Sequence, residues 1–453
     1  MGLMVRSVIA RVIARKGIIG LLLWVCALAP TGLWAQSNPT YIPFRGTVKG
    51  VLYKPDAEPA PRVGILIMHR TGNFLSHIGA RELSKRGFLV LAMNPRFENS
   101  EAAVMWEEIA LDVRSGVEFL RKQPGIAKVI LFGHSGGGAT MTFYQAVAEK
   151  GPSYCQGANK LTQCGDDLAG LPPADGMVLM DAHPGNPVNG LRSLNPAVID
   201  DGDPQRLNPE LDPFNAANGF RSDGSSSYSE EFRQKYFRAQ AARMNRLIDS
   251  ARARLRQIDS GKGRFPDDDV FLVMRGQGAR MVTLDPGLGD RTAQPRKLLQ
   301  NDGTIVTRVV ESVRRVEPAS PEQTAAFYGG TRFLTLRSFL SANAIRATHA
   351  IDDVDHCSTN NSVPCAVQSI SVPMLISAME AGYFIRDNEI HYERAASDDK
   401  DFIVIEGATH GATPCTACEA SPGQYSNSVK NFFDYVGNWI NARYSESSAG
   451  KGI

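Results

Sequence analysis

Short apolar runs separated by segments of helical periodicity constrain the fold of this chain more than any other feature. Val63-Gly-Ile-Leu-Ile-Met68, Gly87-Phe-Leu-Val-Leu-Ala-Met93, Lys128-Val-Ile-Leu-Phe132, Gly176-Met-Val-Leu-Met180, Val372-Pro-Met-Leu-Ile-Ser377 and Asp401-Phe-Ile-Val-Ile-Glu406 all read as strands. Most are apolar at successive rather than alternate positions, which is the pattern of strands covered on both faces. Val48–Pro55 reads as an edge strand closed by proline. Between these runs, Ala80–Arg86 reads as a crossover helix, and Ile109, Val113, Val117 and Leu120 recur at helical spacing. A last helix carries Val429, Phe432, Phe433, Val436 and Ile440 on one face. The alternation predicts an α/β architecture, a mostly parallel, doubly wound sheet with helices on both sides.

The pattern breaks between residues 186 and 365, an interval rich in Pro, Asp, Asn, Ser and Arg that reads as something other than continued sheet. The chain is therefore expected to build one core from residues 36–185 and 366–453, with residues 186–365 inserted as a cap or lid. Within the insertion, Phe237, Ala241, Met244, Leu247, Ile248, Ala251, Leu255 and Ile258 form an apolar stripe at helical spacing. That stripe suits either a lid over an active site or the insertion's own core.

With 453 residues, 43% hydrophobic and 21% charged, the chain is long enough for a large core or two domains. Its formal net charge of +2, with no run of Lys or Arg interleaved with aromatics, argues against nucleic acid as a partner. Arg6, Arg11, Arg15 and Lys16 precede an apolar stretch, Gly17 to Ala29, and Leu33-Trp-Ala35 places a small residue before Gln36. Residues 1–35 thus read as a signal peptide, which implies a periplasmic or secreted protein with no stable membrane span after cleavage. A membrane anchor is the rival reading, and the apolar stretch is short for one. The bulky residues before Cys26 make a poor lipoprotein signal.

Removing Cys26 with the leader leaves Cys155, Cys164, Cys357, Cys365, Cys415 and Cys418, an even set that argues for disulfides outside the cytosol. Cys155 and Cys164 are the nearest local pair; the other four could pair as neighbours or cross-pair. A four-cysteine zinc site near His356 is a rival reading, and the clusters Asp267–Asp269 and Asp352–Asp355 lack the spacing of a calcium loop.

Leu131-Phe-Gly-His-Ser-Gly-Gly-Gly-Ala-Thr140 carries the chemistry. A strand runs into a helix through Gly133-His-Ser-Gly-Gly137, and glycines on both sides of Ser135 allow a sharp turn that exposes the serine at the strand's end. The Gly136 N–H then lies at a helix start, where an oxyanion can be bound. No Lys follows Gly138, which excludes a phosphate-binding P-loop. Past the last strand, Gly407-Ala-Thr-His-Gly411 places His410 where it can reach across the sheet's end toward Ser135.

The G-H-S-G-G turn, the strand order and the G-A-T-H-G loop together resemble the α/β-hydrolase superfamily, in particular its exported serine esterases. The resemblance covers about residues 42–185 and 366–445. It implies that Ser135 attacks an acyl carbon, that His410 takes the serine's proton, and that no cofactor takes part. A small-molecule ester would be the substrate, with amide hydrolysis or acyl transfer as alternatives on the same residues and a silent binding protein as the alternative of another class. The family's second oxyanion donor follows the third strand, where this chain reads Met68-His-Arg-Thr-Gly-Asn73; the Thr71 N–H is expected there, with Arg70 as runner-up or as a partner for a substrate carboxylate, and His69 as a structural loop residue. For the acid, Glu380 stands nearest the end of the strand at Ser377; Asp181, after the preceding strand, is the alternative, followed by Asp387 and Glu389.

Overall fold

The computed structural model describes residues 39–55, 60–315 and 320–444, so the leader read from residues 1–35 lies outside the described residues. Strands β1 (Thr40–Pro43), β2 (Lys49–Tyr53), β3 (Val63–Met68), β4 (Leu89–Asn94), β5 (Lys128–His134), β6 (Gly176–Met180), β7 (Arg296–Leu299), β8 (Ile305–Arg308), β9 (Met374–Met379) and β10 (Lys400–Ile405) join in one sheet of order β1-β2-β4-β3-β5-β6-β9-β10-β7-β8. The run from β4 to β7 is parallel throughout. The outer pairs β1 with β2, β2 with β4, and β7 with β8 are antiparallel.

The continuous apolar composition of the central strands follows from this arrangement. Every residue of β3, β4 and β9 is buried, because helices cover the sheet from both sides. The longer helices are α1 (Ile78–Ser84), α2 (Ile109–Arg121), α3 (Gly136–Lys150), α4 (Asn186–Ser193), α5 (Glu230–Asp259), α6 (Ile385–Arg394) and α7 (Ser428–Tyr444). Ile65, Ile67, Val90, Ala92, Ile130 and Phe132 pack with α1 and α7, through Leu83, Phe432, Phe433 and Val436. Their alternates Leu66, Met68, Leu91, Met93, Val129 and Leu131 pack with α2 and α3, through Val113, Val117, Met141 and Phe143. The period of two along each strand thus divides one sheet between two apolar layers.

Two sequence expectations need correction. The segment Val48–Pro55 supplies β2, which is not the edge; β1 pairs outside it, Thr40 against Leu52. The interval 186–365 was expected to lie apart from the sheet, yet its β7 pairs in parallel with β10, Leu298 opposite Val404, and β8 closes the hairpin. These two strands escaped the sequence reading because only Leu298 and Leu299 of β7 are buried and every residue of β8 is exposed. Their pairing is imposed by the neighbouring edge.

Helix α5 starts where Ser229 accepts the Phe232 N–H at 3.1 Å, with Glu230 and Glu231 in the first turn to oppose the helix dipole. Its stripe of Ala241, Met244, Leu247, Ile248 and Ala251 packs on Val188 and Leu191 of α4 and on Phe271, Val273 and Leu334. Three disulfides join sequence neighbours: Cys155 with Cys164, Cys357 with Cys365, and Cys415 with Cys418. The zinc reading therefore fails, since its thiols are bonded to one another. Among the described residues no helix is long and apolar enough to cross a membrane, and no group of three or more His, Cys, Asp or Glu could hold a metal ion.

Candidate active site

Ser135 is the residue between β5 and α3, at φ 57° and ψ −125°. A side chain in that region of backbone space costs about 1–3 kcal/mol and persists only where the surroundings enforce it. Here they do. The Ser135 N–H donates to the Met180 carbonyl at 3.2 Å, and its carbonyl accepts the Gly138 N–H at 3.1 Å. Gly137 is needed for close approach: a Cβ there would stand 2.5 Å from the Met68 carbonyl oxygen.

His410 lies in the loop after β10. The loop folds on itself, Thr409 N–H to Thr413 carbonyl at 2.8 Å and Cys415 N–H to Gly407 carbonyl at 2.9 Å, and the Cys415–Cys418 disulfide follows at once. His410 Nδ1 meets Asp181 Oδ2 at 2.6 Å. Asp181 is fully buried, whereas 38% of the His410 side chain is open, so the acid is dry while the imidazole can meet a substrate. Asp181 turns out of β6 at φ 41°; its N–H donates to the Ser377 carbonyl at 2.8 Å, and its Oδ1 accepts the Met379 N–H at 3.2 Å.

The carboxylate on His410 is thus Asp181, not Glu380. Glu380 Oε2 accepts the Gly407 N–H at 2.8 Å and Oε1 accepts from Arg308 Nη2 at 3.1 Å, which directs the side chain toward β8. Burial raises its carboxyl above the usual range. The other two candidates are also engaged elsewhere: Asp387 accepts from Arg192 at 2.9 Å, and Glu389 from the Ala293 N–H at 2.6 Å and Arg296 Nε at 2.7 Å.

A parallel strand leading to an elbow serine, an acid after the next strand of the sheet, and a histidine past the end of β10 follow in the order Ser, Asp, His. This is the α/β-hydrolase fold. No family model matches the chain, and no curated protein matches it. Among solved structures, Est1E from Butyrivibrio proteoclasticus is similar at 11% identity over 89% of this chain and 98% of that one, with a TM-score of 0.37. Brefeldin A esterase, a bacterial homologue of human hormone-sensitive lipase, is similar at 11% over 90% and 77%, with a TM-score of 0.39. The siderophore hydrolase EstB from Aspergillus fumigatus is similar at 11% over 89% and 98%, with a TM-score of 0.39.

Histidines that the sequence reading left aside surround the elbow of this α/β-hydrolase fold. His77 Nδ1 accepts the Gly79 N–H at 3.0 Å, so its proton is on Nε2, which meets His134 Nδ1 at 2.9 Å. His134 therefore also carries its proton on Nε2, and donates it to the His410 carbonyl at 2.8 Å. The residue before the serine thus tethers the backbone of His410, ring to ring at 4.6 Å.

The Thr71 N–H, expected to face an oxyanion, instead donates to His69 Nδ1 at 3.2 Å, as does the Gly72 N–H at 2.7 Å. The ring closes the turn and takes the donor for itself. His69 must then carry its proton on Nε2. His183 Nδ1 lies 3.1 Å from the Gly185 backbone nitrogen and its Nε2 3.4 Å from Arg70 Nη1, two donors of which a neutral ring can accept only one. Both rings are held neutral, first by burial and then by the Arg70 charge. A Cβ on Gly136 would collide with Arg70 Nη1 and stand 2.6 Å from His69 Nε2 and 3.0 Å from His183 Nε2. Two donors, Arg70 Nη1 and His69 Nε2–H, therefore converge beside the residue that follows Ser135, with His183 Nε2 next to them.

Two clefts open nearby. One, of about 540 Å³, is lined by Arg70, Glu101, Arg332, Tyr328 and Phe333 among others. The second, of about 410 Å³, is lined by Arg280 and Tyr383, and Arg280 also stacks on Phe384, whose ring is 5.7 Å from that of His410.

Desolvated histidines contribute acid sensitivity to the fold. Burial pushes His77 and His391 from 6.5 down to about 4, and His356 to about 3. Below pH 6.5 the unfolded chain protonates these rings while the folded chain does not, so their contribution to stability is full above that value and falls as pH drops toward 4. By pH 5 the fully buried His391 is expected to cost about 2 kcal/mol, and the partly exposed His77 and His356 less. The buried carboxyls Glu107 and Asp290, raised to about 7 and about 6, act in the opposite sense over the same range, so the check is made on the ring itself: a His391 imidazole that titrates near 6.5 in the folded protein by NMR would contradict this.

Proposed function

We propose that this chain is an exported serine hydrolase that cleaves carboxylic esters through an acyl-enzyme on Ser135. The observation that carries the reading is the 2.6 Å contact of His410 Nδ1 with the buried Asp181, beside a serine held in a strained turn. With Nδ1–H given to Asp181, His410 Nε2 is left as the acceptor for the serine's proton. Ser135 Oγ then bonds to the acyl carbon, the carbonyl becomes an oxyanion, and the bond to the alkoxide breaks as His410 returns the proton to the leaving oxygen. Water repeats the sequence and releases the acid. The Gly136 N–H at the start of α3 receives the oxyanion. Arg70 Nη1 and His69 Nε2–H take the place of the Thr71 N–H as further donors.

Three disulfides fit an oxidising compartment, and with the leader read from residues 1–35 they support a periplasmic or secreted location. The test of the reading is hydrolysis of p-nitrophenyl esters of graded acyl length, together with labelling by a fluorophosphonate. Turnover and a single label on Ser135 are expected. A protein inert to every chain length and to the phosphonate would be a binding module on a hydrolase fold.

A further inference from the structure

The cleft of about 540 Å³ carries more positive charge than its own walls neutralise. Arg70 is buried, donates through Nη2 to Glu101 at 2.9 Å, has Nη1 3.4 Å from the neutral His183 Nε2, and its Nε has no partner. Glu101 also accepts from the Thr71 hydroxyl and is half exposed. Arg332 is a second guanidinium on the same cleft, and its contacts are neutral: Nε donates to the Gly276 carbonyl at 3.2 Å, and Nη1 to Asn343 Oδ1 at 3.4 Å. Among the described residues no carboxylate pairs with Arg332. Desolvation and the neighbouring Arg70 charge lower it from 12.5 to about 10. An incompletely matched cation of this kind is costly unless an anion completes it. The other cleft differs, because Asp387 and Asp290 stand among its arginines.

Beside Arg332, the cleft offers aromatic surface. Tyr328 is 83% exposed and Phe333 37%, with ring centroids 6.0 Å apart. Planar guanidinium next to open aromatic faces suits a carboxylate borne on an aromatic ring, bidentate to arginine at one end and stacked at the other. Arg70 connects the cleft to the chemistry, since its Nη1 fills the space beside Gly136.

We infer that this cleft is an anion subsite, with Arg332 as its specificity residue, and that the preferred substrate is an ester carrying a free aromatic carboxylate. The inference rests on the ester-hydrolase reading for the word substrate; the subsite itself does not depend on turnover. Its test is therefore double. Calorimetric titration of Ser135→Ala protein with benzoate and with benzamide, its neutral counterpart, reads the subsite without catalysis. Benzoate is expected to bind at least about tenfold more tightly, Arg332→Gln to erase the difference, and Arg332→Lys to keep part of it. In the active enzyme, the ratio of kcat/KM for 4-carboxyphenyl butyrate to that for phenyl butyrate is expected to fall by about tenfold or more in Arg332→Gln.

Taking the ratio within each enzyme cancels any loss of folded protein, and comparing that ratio between enzymes cancels leaving-group reactivity. Equal binding of benzoate and benzamide, or a preference unchanged in both Arg332 variants, overturns the subsite. Arg332-dependent benzoate binding by a protein that hydrolyses neither ester would overturn the hydrolase reading and leave the anion subsite standing.

Discussion

Ser135→Ala is expected to lower kcat on a p-nitrophenyl ester by on the order of 10⁶-fold, because the acyl-enzyme route needs Oγ and nothing else in the site can form that bond. The donors beside Gly136 survive the substitution, so a small residual rate above water is expected. Stability supplies an independent readout. Alanine at φ 57° and ψ −125° inherits the strain of serine, whereas glycine does not, so Ser135→Gly is expected to be more stable than Ser135→Ala by about 1–3 kcal/mol in urea unfolding. Equal stability of the two would mean that the turn stores no strain.

The second large effect belongs to the acid. Asp181→Asn is expected to cut kcat by on the order of 10⁴-fold. An amide at this position can present an N–H to His410 Nδ1, and the ring then moves its own proton to Nε2, where it can no longer accept one from serine. Glu380→Gln is the matched control. It keeps one acceptor oxygen, for either the Gly407 N–H or Arg308, and sets an NH2 donor against the other, so turnover near that of the parent is expected, with a stability loss of about 1–3 kcal/mol. If Glu380→Gln silences the enzyme while Asp181→Asn does not, the two carboxylates exchange roles.

The sheet was legible because its central strands are buried on both faces, and such strands are spelled as uninterrupted apolar runs: all positions of Val63–Met68 and Met374–Met379 are buried. The hairpin of β7 and β8 was not legible for the converse reason. Arg296–Leu299 and Ile305–Arg308 are short and half polar, and only the neighbouring edge of β10 makes strands of them. The turn that carries Ser135 and the loop that carries His410 could be read from their flanking glycines. The choice between Asp181 and Glu380 could not, since each follows directly on one of two adjacent parallel strands, β6 and β9. What separates them is the positive φ at Asp181, which swings its carboxylate to the histidine, and the pull of Arg308 on Glu380. For His134 a signal was present, in its place directly before the serine; its link to the His410 carbonyl depends on His77, fifty-seven residues away in sequence.

The hairpin that the insertion contributes to the sheet also limits how this protein could be taken apart. A version trimmed to the alternating strands and helices would leave β10 with its outer backbone N–H and C=O groups bare, from Lys297's partner Ile403 to Leu299's partner Ile405. An unpaired edge of that kind recruits strands from other molecules. The residues that look like ornament on a hydrolase core therefore act as its selvedge: excising them would yield a protein that self-associates along β10, a few residues upstream of the loop that carries His410.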